Sequence, residues 1–598
     1  ILSEIPASKE DPSEQTLLYC LRANSVLRAA ALAPQVWKTP YLVRYTHSDE
    51  DRERQRRTDV SCDWRALYLW RRRLDREALS LLDRIRGERV GRHDVARRIA
   101  KEYGFDVWDF FREESCLPLP TWCYDQPPQD VVQSPPNALP RRYWAQVMLG
   151  VIARNSAIGL WSKVALPNQQ DVTFEEALAG LSAFFDVSAK EASRRLLELI
   201  CDKCIENLVD KGVPLDPNEQ DYDFWTIIEE IREAIHNQGF SIATNADFYR
   251  VMNQFPHFFL RPEGRSSIPM SLVYVFVAVA RRLGIQASST NFPGVVQAHI
   301  QPPNGERAKL LDMRGNEPPL EFPNSRHHHF WPVMLQSQDE CSRPAPPALM
   351  LTRACNNIQM FMQQEIVTGA PQSAEIHDSA FYAGSSWIMI EGEAGHIIPS
   401  PPDSKPLDFG AVLLDTLCPL LPPVTRPAIS AHYERIIEDD EARARSVKLR
   451  SNFPALKFFV GLPFMHRRYD YLGVIYGWDP TCMASEEWIE QMQVNRLSQG
   501  RNQPFYHVIP SEGQSKYVAQ ENIIPLVPLV MNKLNELFQR NSLANRYFVD
   551  VERGTSKYST RLLPSTELKD AFPEDDAFGA SFIGAAGASQ VLPSHDLA

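Results

Sequence analysis

Apolar side chains recur every three or four positions through most of the first 240 residues, the spacing of helices with one buried face. The clearest helix carries Arg and Asp on its other side and places apolar residues at Trp70, Leu74, Ala78, Leu81, Leu82 and Ile85. A less regular face near the N-terminus contains Leu17, Leu18, Leu21, Val26 and Leu27. This pattern predicts mainly helical N-terminal and central regions.

The pattern changes twice further along the chain. An apolar helix is predicted at 269–283, followed by strand-like segments near 286–300 and 308–312. From Phe453 to about Pro525, four short runs rich in β-formers (ALKFFVGL, YLGVIYGW, FYHVIP and KYVAQENI) are separated by turn residues, which predicts a small antiparallel β-barrel. The last residues, 541–598, contain GAAGAS and PEDDAF and are predicted to be a disordered tail.

Composition adds domain boundaries and limits the class of protein. The 598 residues include 46 Pro against 27 Gly, and the Pro residues concentrate at 115–140, 343–347 and 400–427. Such stiff segments typically connect separate units, so we expect a multidomain α+β protein. The longest apolar stretch, Ile268 to Ala280, is too short to cross a bilayer. Ten Cys in so long a chain indicate reduced thiols, and hence a cytoplasmic or nuclear protein.

Two clusters contain residue types that bind metals. Cys201 and Cys204 form a lone CxxC, but no second pair of ligands lies nearby, and both cysteines fall on an apolar helical stripe. His327, His328 and His329 lie together in a polar loop without converging ligands from elsewhere. Core packing and a solvated loop are the interpretations that we favour, and we expect no metal and no cofactor.

A nucleophilic enzyme is one alternative function. The helix opening at 268–272 would place Ser271 near a helix N-terminus, with His299 and Asp312 following on strand-like segments. The sequence SSIPMSL has no Cys at this point, and no residue spacing fixes a base beside Ser271. A packed core helix is the interpretation that we favour.

The segment 452–525 is rich in Tyr, Trp and His. It contains six Lys and Arg against seven Asp and Glu, a net charge of −1, and the whole chain carries −12. Phosphate binding without a positive surface is weak, so a protein or peptide ligand fits better than nucleic acid. DNA binding remains the second alternative.

These C-terminal motifs carry a specific resemblance. VGLPFMHRRYDYLGVIYGWDPTC (460–482), EEW (486–488), QPFYHV (503–508) and YVAQENI (517–523) resemble, in this order, the YccV/HspQ-type domain that is often labelled "hemimethylated DNA-binding". The resemblance implies a small β-barrel. In eukaryotes this domain type is linked to F-box proteins that also carry a SirB-type transglutaminase-like region.

Other segments resemble the remaining parts of that architecture. DVTFEEALAGLSAFFD (171–186), the stretch 245–285 and NFPGVVQAHI (291–300) resemble the SirB pattern, and the N-terminus resembles an F-box. The resemblance implies this division: an F-box (1–45), a helical linker with a Pro-rich segment (46–142), a transglutaminase-like domain (143–320), a loop with connecting helices (321–451), a YccV/HspQ-like barrel (452–540) and the tail (541–598).

The transglutaminase-like region departs from its family at the catalytic positions. The histidine of the family's FPGHF motif falls at Val295, and the cysteine position falls near Met270 or Ser271. Only Asp312 lies where the family has its carboxylate. A triad without nucleophile and base implies a scaffold or binding cleft with no catalytic residues.

The resemblance implies a non-catalytic substrate receptor of a Skp–cullin–F-box ubiquitin ligase, whose partners are a Skp-type adaptor, a cullin and a client protein. Adaptor contacts are predicted at Leu2, Ile5, Pro6, Leu17, Leu18 and Leu21. Client contacts are predicted at His466, Arg467, Tyr469, Tyr471, Trp478, Asp479, Trp488, Gln503, Pro504, Tyr506 and Tyr517.

Overall fold

The structure is a computed structural model, and it describes residues 14–124, 133–166, 172–186, 189–216, 218–219, 221–303, 305–315, 317–321, 342–369, 373–392, 397–526, 531–553 and 560–586. The predicted adaptor contacts Leu2, Ile5 and Pro6 and the triplet His327–His329 lie outside these residues. Two compact units are present. One combines residues up to 152 with those from 434 onward, and the other contains 153–433.

Helices begin where short polar side chains accept hydrogen bonds from the first free backbone N–H groups. Asp63 does so for Arg65 and Ala66, and Thr173 forms a reciprocal capping box with Glu176. The α-helices are α1 (Glu14–Ala23), α2 (Ser25–Leu32), α3 (Lys38–Arg44), α4 (Glu50–Asp59), α5 (Trp64–Gly87), α6 (Arg92–Arg98), α7 (Trp108–Ser115), α8 (Ala138–Val164), α9 (Phe174–Ala179), α10 (Ala189–Asp210), α11 (Phe224–Asn237), α12 (Pro256–Phe259), α13 (Pro269–Arg282), α14 (Pro347–Thr368), α15 (Ala374–Glu391), α16 (Arg426–Ala444), α17 (Glu486–Gln491), α18 (Met531–Arg540), α19 (Ser542–Tyr547), α20 (Thr566–Ala571) and α21 (Asp575–Ala586).

The strands form four sheets, so the mixed α+β class predicted from the sequence is confirmed. In order they are β1 (Ser241–Ile242), β2 (Ser266–Ser267), β3 (Gln286–Ser289), β4 (Ala298–Gln301), β5 (Lys309–Leu311), β6 (Leu320–Glu321), β7 (Pro463–His466), β8 (Leu472–Asp479), β9 (Phe505–Pro510), β10 (Lys516–Ala519), β11 (Ile523–Pro525), β12 (Phe548–Arg553) and β13 (Thr560–Pro564). Strands β1 and β2 pair in parallel, and β3–β6 form an antiparallel meander.

The C-terminal sheet is antiparallel, as predicted, but it is not a closed barrel. Its five strands have the order β10-β9-β8-β7-β11, so β10 and β11 lie at its two ends. Beside it, the backbone of Gly461 accepts a hydrogen bond from Leu562 N at 2.9 Å, which attaches the β12–β13 hairpin. The prediction of closure is wrong because later segments of the chain cover this sheet and complete its core.

The prediction of a disordered tail is wrong for residues 542–553 and 560–586. Helices α19, α20 and α21 and the β12–β13 hairpin form there. Leu562, Leu568, Phe572 and Ile583 join Trp478 and the other apolar residues of the five-stranded sheet in one hydrophobic core. Burial of these side chains outweighs the small and acidic residues that suggested disorder.

The Pro-rich segment also contributes to this core rather than only connecting domains. Cys123 and Leu139 are buried in it. The indole of Trp122 packs edge-on against Phe538 with ring centroids 5.1 Å apart, and its Nε1 donates a 2.7 Å hydrogen bond to Asp550 Oδ1. The five-stranded sheet therefore depends on chain segments from both sides of it in sequence.

The N-terminal helices have a smaller core of their own. Leu17 of α1 and Tyr41 of α3 pack with Trp37, Trp64 and Tyr68. Trp37 donates to the carbonyl of Ala31 at 2.8 Å, which fixes the end of α2. Helix α5 thus anchors α1–α3 through its first turns.

The unit of residues 153–433 surrounds the apolar helix α13. Every residue from Pro269 to Val277 is buried, and Tyr274 packs edge-on against Phe174 and Phe259. Away from α13, Arg154 makes a bidentate pair with Asp408, which also accepts a 2.8 Å hydrogen bond from Tyr382. Because this buried charge pair is fully hydrogen-bonded, it is tolerated in the core.

Candidate functional site

Strand β8 divides the predicted client contacts between two faces of the C-terminal sheet. Successive side chains of a strand point to opposite faces. Trp478 is completely buried, and Asp479 comes next on the strand. The residues around these two positions therefore have different roles.

The inward face is closed by a carboxylate of the tail. Asp575, at the start of α21, is 1% exposed. Its Oδ2 accepts hydrogen bonds from Trp478 Nε1 at 3.1 Å and Val460 N at 2.8 Å, and its Oδ1 accepts from Arg450 Nε at 2.9 Å. All three donors lie inside the unit, so Trp478 stabilises the fold and is not available to a client.

Three further predicted contacts are also core residues. Gln503 is 1% exposed, and its amide donates to Gly500 O and accepts from Glu521 N. Tyr506 is fully buried and donates to Gln520 Oε1 at 2.8 Å, while burial raises its pKa to about 12. Pro504 is buried between them. These side chains fix the chain path, and their burial leaves them little surface to offer a client.

On the outward face, three side chains donate to Asp479. Lys448 Nζ donates to Oδ1 at 2.6 Å, and Tyr517 OH and His507 Nε2 lie 2.7 Å and 3.1 Å from Oδ2. Tyr517 and His507 are direct cross-strand neighbours on β10 and β9. We call these four residues, together with Trp488, the Asp479 cluster.

The hydrogen bonds of the Asp479 cluster decide its charge. Burial alone would raise the pKa of Asp479, but the hydrogen bonds from His507, Lys448 and Tyr517 hold it well below its usual range. Burial and the bond to Asp479 raise the pKa of Tyr517 well above its usual range. Asp479 is therefore a carboxylate at neutral pH, and Tyr517 is a neutral donor.

Aromatic rings surround this carboxylate. The ring of Tyr517 stacks on His507 at 4.8 Å and packs against Phe505 at 5.1 Å and Trp488 at 5.7 Å. The side chain of His507 is 40% exposed. Partly exposed aromatic side chains beside fixed polar groups are typical of protein-binding surfaces.

The remaining predicted contacts lie around the β7–β8 turn. The ring Nδ1 of His466 accepts hydrogen bonds from the backbone N–H groups of Arg468 and Tyr469, both at 3.1 Å. Tyr471 stacks on His466 and receives Lys516 Nζ 4.2 Å from its ring centre. Because Lys516 precedes Tyr517 on β10, this turn and the Asp479 cluster belong to opposite faces of the sheet.

Exposure in this turn is uneven. His466 is 5% exposed and Tyr469 is 61% exposed, and Arg467 also projects into solvent. The eleven predicted client contacts are thus distributed over a core, an aromatic surface and a separate turn, and they do not form one surface.

The predicted hydrolase residues are not joined into a triad. Ser271 is 1% exposed, donates to the carbonyl of Asn253 at 2.8 Å and accepts from Ser267 Oγ at 3.1 Å. Asp312 pairs with Arg314, and burial lowers the pKa of His299. In the described part of the chain no hydrogen bond connects Ser271, His299 and Asp312, and Val295 supplies no base.

The cysteine pair behaves as predicted for a core position. Cys201 and Cys204 are 2% and 0% exposed, and burial raises their thiol pKa values to about 12 and about 11. Cys204 accepts a hydrogen bond from Gln238. Among the described residues, no group of three His, Cys, Asp or Glu side chains is arranged to hold a metal ion.

The N-terminal helices present a different apolar surface from the predicted one. Leu17 is 1% exposed and points into the small core, where it packs with the apolar surfaces of Trp37 and Tyr68. Leu18 and Leu21 are half-buried. The large apolar side chains that α1 and α2 expose, which we call the N-terminal apolar surface, are Tyr19 (61%), Val26 (75%), Leu27 (37%) and Leu32 (43%).

Sequence reasoning missed three important residues of the C-terminal unit. His507 could have been found, because it directly faces Tyr517 across the hairpin. Lys448 lies 31 residues before Asp479, and Asp575 lies 97 residues after Trp478, so no local pattern indicated either.

Comparison with known proteins now adds to this geometry. Residues 456–548 match the family model described as "Hemimethylated DNA-binding protein YccV like". This match covers β7–β11, the Asp479 cluster except Lys448, and the start of the tail.

Residues 456–548 form a YccV-like domain. The chain is also similar to proteins named F-box only protein 21. It is 26% identical over 379 residues to those of Mus musculus and Homo sapiens, which covers 59% of this chain and 56% of each relative. The Pongo abelii protein is 26% identical over 371 residues. The chain thus spans just over half of the length of these relatives, and no solved structure matches it.

One further property concerns membranes. None of the helices in the described ranges combines the length and the apolar composition that a bilayer crossing requires.

Proposed function

We propose that this chain is the substrate-recognition subunit of a Skp–cullin–F-box ubiquitin ligase. Its N-terminal helices would bind a Skp-type adaptor linked to a cullin, and its other domains would bind a client protein. The similarity to F-box only protein 21 supports the F-box assignment. The predicted compartments, cytoplasm and nucleus, are those in which such a ligase would act.

The N-terminal apolar surface is the observation that carries this proposal. Val26 is 75% exposed on α2, a helix that is held by the buried Ala31, whose carbonyl accepts a hydrogen bond from Trp37. Leu27 and Leu32 lie on the same short helix. Exposed apolar side chains on well-anchored helices favour burial against a partner, at about 25 cal/mol per Å² of apolar area.

The YccV-like domain would bind the client through the Asp479 cluster. Lys448 and Tyr517 orient the carboxylate, and Trp488 and His507 provide partly exposed rings. A surface with aromatic anchors and prearranged polar groups loses little conformational entropy on binding. A protein segment fits this surface better than a nucleic acid, because the cluster contains a fixed carboxylate.

No catalytic role is proposed for the predicted hydrolase positions. Ser271 uses its hydroxyl for the hydrogen bond to Asn253 and is 1% exposed. A serine nucleophile needs a base within about 3 Å of its hydroxyl and access to substrate. Region 143–320 therefore acts as a scaffold or binding unit in this proposal.

Co-expression of the full chain with a Skp-type adaptor tests the proposal. Val26→Asp combined with Leu32→Asp places two charges in the N-terminal apolar surface, and we expect at least about a tenfold loss of adaptor affinity. Val447→Asp is the matched control, because Val447 is 55% exposed in a different part of the chain. Failure of the unaltered chain to bind the adaptor would overturn the proposal, as would equal binding by both variants.

A further inference from the structure

An open cavity of about 360 Å³ lies at the C-terminal end of α14, in the unit of residues 153–433. Its lining includes Asp247, Tyr249, Arg250, Phe258, Glu365 and Thr368. This volume is at the lower end of ligand-binding pockets, and it suits a single long side chain better than a cofactor.

A buried carboxylate stands in the cavity wall. Glu365 is 6% exposed, and its Oε1 accepts a hydrogen bond from Val251 N at 2.8 Å. Its Oε2 lies 2.5 Å from Nε2 of His377. Each carboxylate oxygen can accept a second hydrogen bond, so the two existing contacts fix Glu365 without exhausting it.

His377, beside Glu365 Oε2, carries a charge only when it is protonated, and without that charge the balance at the cavity is negative. The guanidinium of Arg250 is paired with the carboxylate of Asp247 at 2.8 Å, so these two charges offset each other. Helix α14 ends at Thr368 without a basic residue in its last turn, which leaves the partial negative charge of the helix terminus unmatched within the helix. Glu365 and this terminus together favour a cation.

Exposed apolar side chains lie on the same helix as Glu365. Ile366 and Val367, between Glu365 and Thr368 on α14, are 64% and 80% exposed, and Met360 is 50% exposed. The ring of Tyr249, 40% exposed, packs edge-on against Phe361. Aromatic rings also attract cations placed over their faces.

We propose that this cavity binds a lysine or arginine side chain of a protein segment whose neighbouring residues are apolar. The cation enters beside Glu365 and the rings of Tyr249 and Phe258, and an apolar neighbour packs on the exposed side chain of Ile366. This inference rests on the proposed function only in naming the segment as part of a client. It adds the chemical class that the client presents.

Fluorescence anisotropy with labelled peptides and the full chain tests this directly. The probes are three nine-residue peptides that differ only at a central Arg, Lys or Gln between Leu and Val residues. We expect the Arg and Lys peptides to bind at least about tenfold more tightly than the Gln peptide, because a hydrogen bond to a charged group is worth more than one to a neutral group.

Two variants locate the peptide. Glu365→Gln keeps the shape and loses the charge, and Ala246→Trp fills the cavity. Each should weaken binding of the Arg peptide at least about fivefold and remove its advantage over the Gln peptide. Val209→Asp, at a residue of the same unit that is 59% exposed on α10, should bind as the unaltered chain does.

Several outcomes would overturn the inference. They are equal binding of the three peptides, no binding of any of them, or unchanged binding by Ala246→Trp. If Glu365→Gln failed to fold, Ala246→Trp, at an exposed position of the lining, would still decide the matter. Adaptor binding is measured separately, so loss of this site and loss of the receptor function give different results.

Discussion

Two aspartates of the same unit lie on opposite faces of the sheet that contains β8, and they differ in how exposed their hydrogen-bond donors are. Asp575 and Asp479 each accept hydrogen bonds from three donor groups, and one of the donors in each case is a cationic side chain. Asp575 is 1% exposed and holds the tail against Trp478. Asp479 is 8% exposed, but its partner His507 has a 40% exposed side chain.

Hydrogen-bond geometry alone therefore does not separate a structural carboxylate from one that we propose to contribute to binding. The exposure of the donors separates them. A partner protein can reach His507 and Trp488, whereas every donor to Asp575 lies inside the unit. Removing Asp575 should therefore damage the fold, and removing Asp479 should chiefly damage binding.

The largest effect is expected from deleting the tail. A chain that ends at residue 548, the limit of the family match, loses Leu562, Leu568, Phe572 and Ile583 from the core. Each buried apolar side chain contributes about 1.5–3 kcal/mol, so the loss is comparable with the whole stability of a domain. We expect no cooperative thermal transition of the YccV-like domain in circular dichroism.

The control for this deletion is a chain that ends at Ala586, which keeps all described tail contacts and should melt like the full chain. A chain ending at 548 that still unfolds cooperatively at the same temperature would contradict the role given to the tail.

Asp575→Ala should have the next largest effect. It leaves the charge of Arg450, which is 9% exposed, without its carboxylate, and it leaves the indole N–H of Trp478 without an acceptor. Breaking such a buried pair costs about 3–5 kcal/mol in the free energy of unfolding. Urea denaturation measures it, with Glu487→Ala as an exposed control in the same unit. A loss below about 1 kcal/mol would contradict the assignment.

Gly461→Ala tests the contact between sheet and tail at the backbone. Gly461 has a φ of 95°, and a Cβ there would lie 2.2 Å from the carbonyl oxygen of Leu562. Both the strained φ and this clash oppose any side chain, so we expect about 2–3 kcal/mol of destabilisation in the same assay. Gly500→Ala is the matched control, because Gly500 also has a positive φ but has open space around its Cβ position. Equal costs for the two variants would mean that the contact with the tail is unimportant.

Removing the charge of Asp479 on the outward face should lower the free energy of unfolding by a smaller amount, and this amount should depend on pH. The pKa of Asp479 is lowered on folding, so its stabilisation is present above its unfolded value of about 3.9 and is lost as the pH falls through its folded value. Asp479→Asn should cost about 1 kcal/mol at pH 7, and the cost should shrink below about pH 4. Urea denaturation across pH 3–7 measures this, and a cost that grows in acid would reverse the assigned sign.

The sequence was most informative where local patterns decide structure. The apolar repeat from Trp70 to Ile85 predicted α5, and the motif around Trp478 predicted the antiparallel sheet. Strand alternation also implied that Trp478 and Asp479 face opposite ways. It could not say which residue faces inward, because that depends on the tail.

The sequence of the tail contained one weak indication of an ordered helix. Phe578 and Phe582, four residues apart on α21, both pack on Phe459, and this spacing indicates one helical face. The surrounding Gly, Ala, Asp and Glu residues obscured it. Lys448 and Asp575 had no local signal, because their partners Asp479 and Trp478 are distant in sequence and meet them only through tertiary packing.

Affinity purification under ligase-inhibited conditions, followed by quantitative mass spectrometry, tests the central claim most directly. The full chain and its Asp479→Asn/Trp488→Ala variant should retain equal amounts of the Skp-type adaptor and cullin, while client proteins should fall at least about tenfold with the variant. An unchanged set of client proteins, or the absence of the adaptor from both samples, would contradict the account.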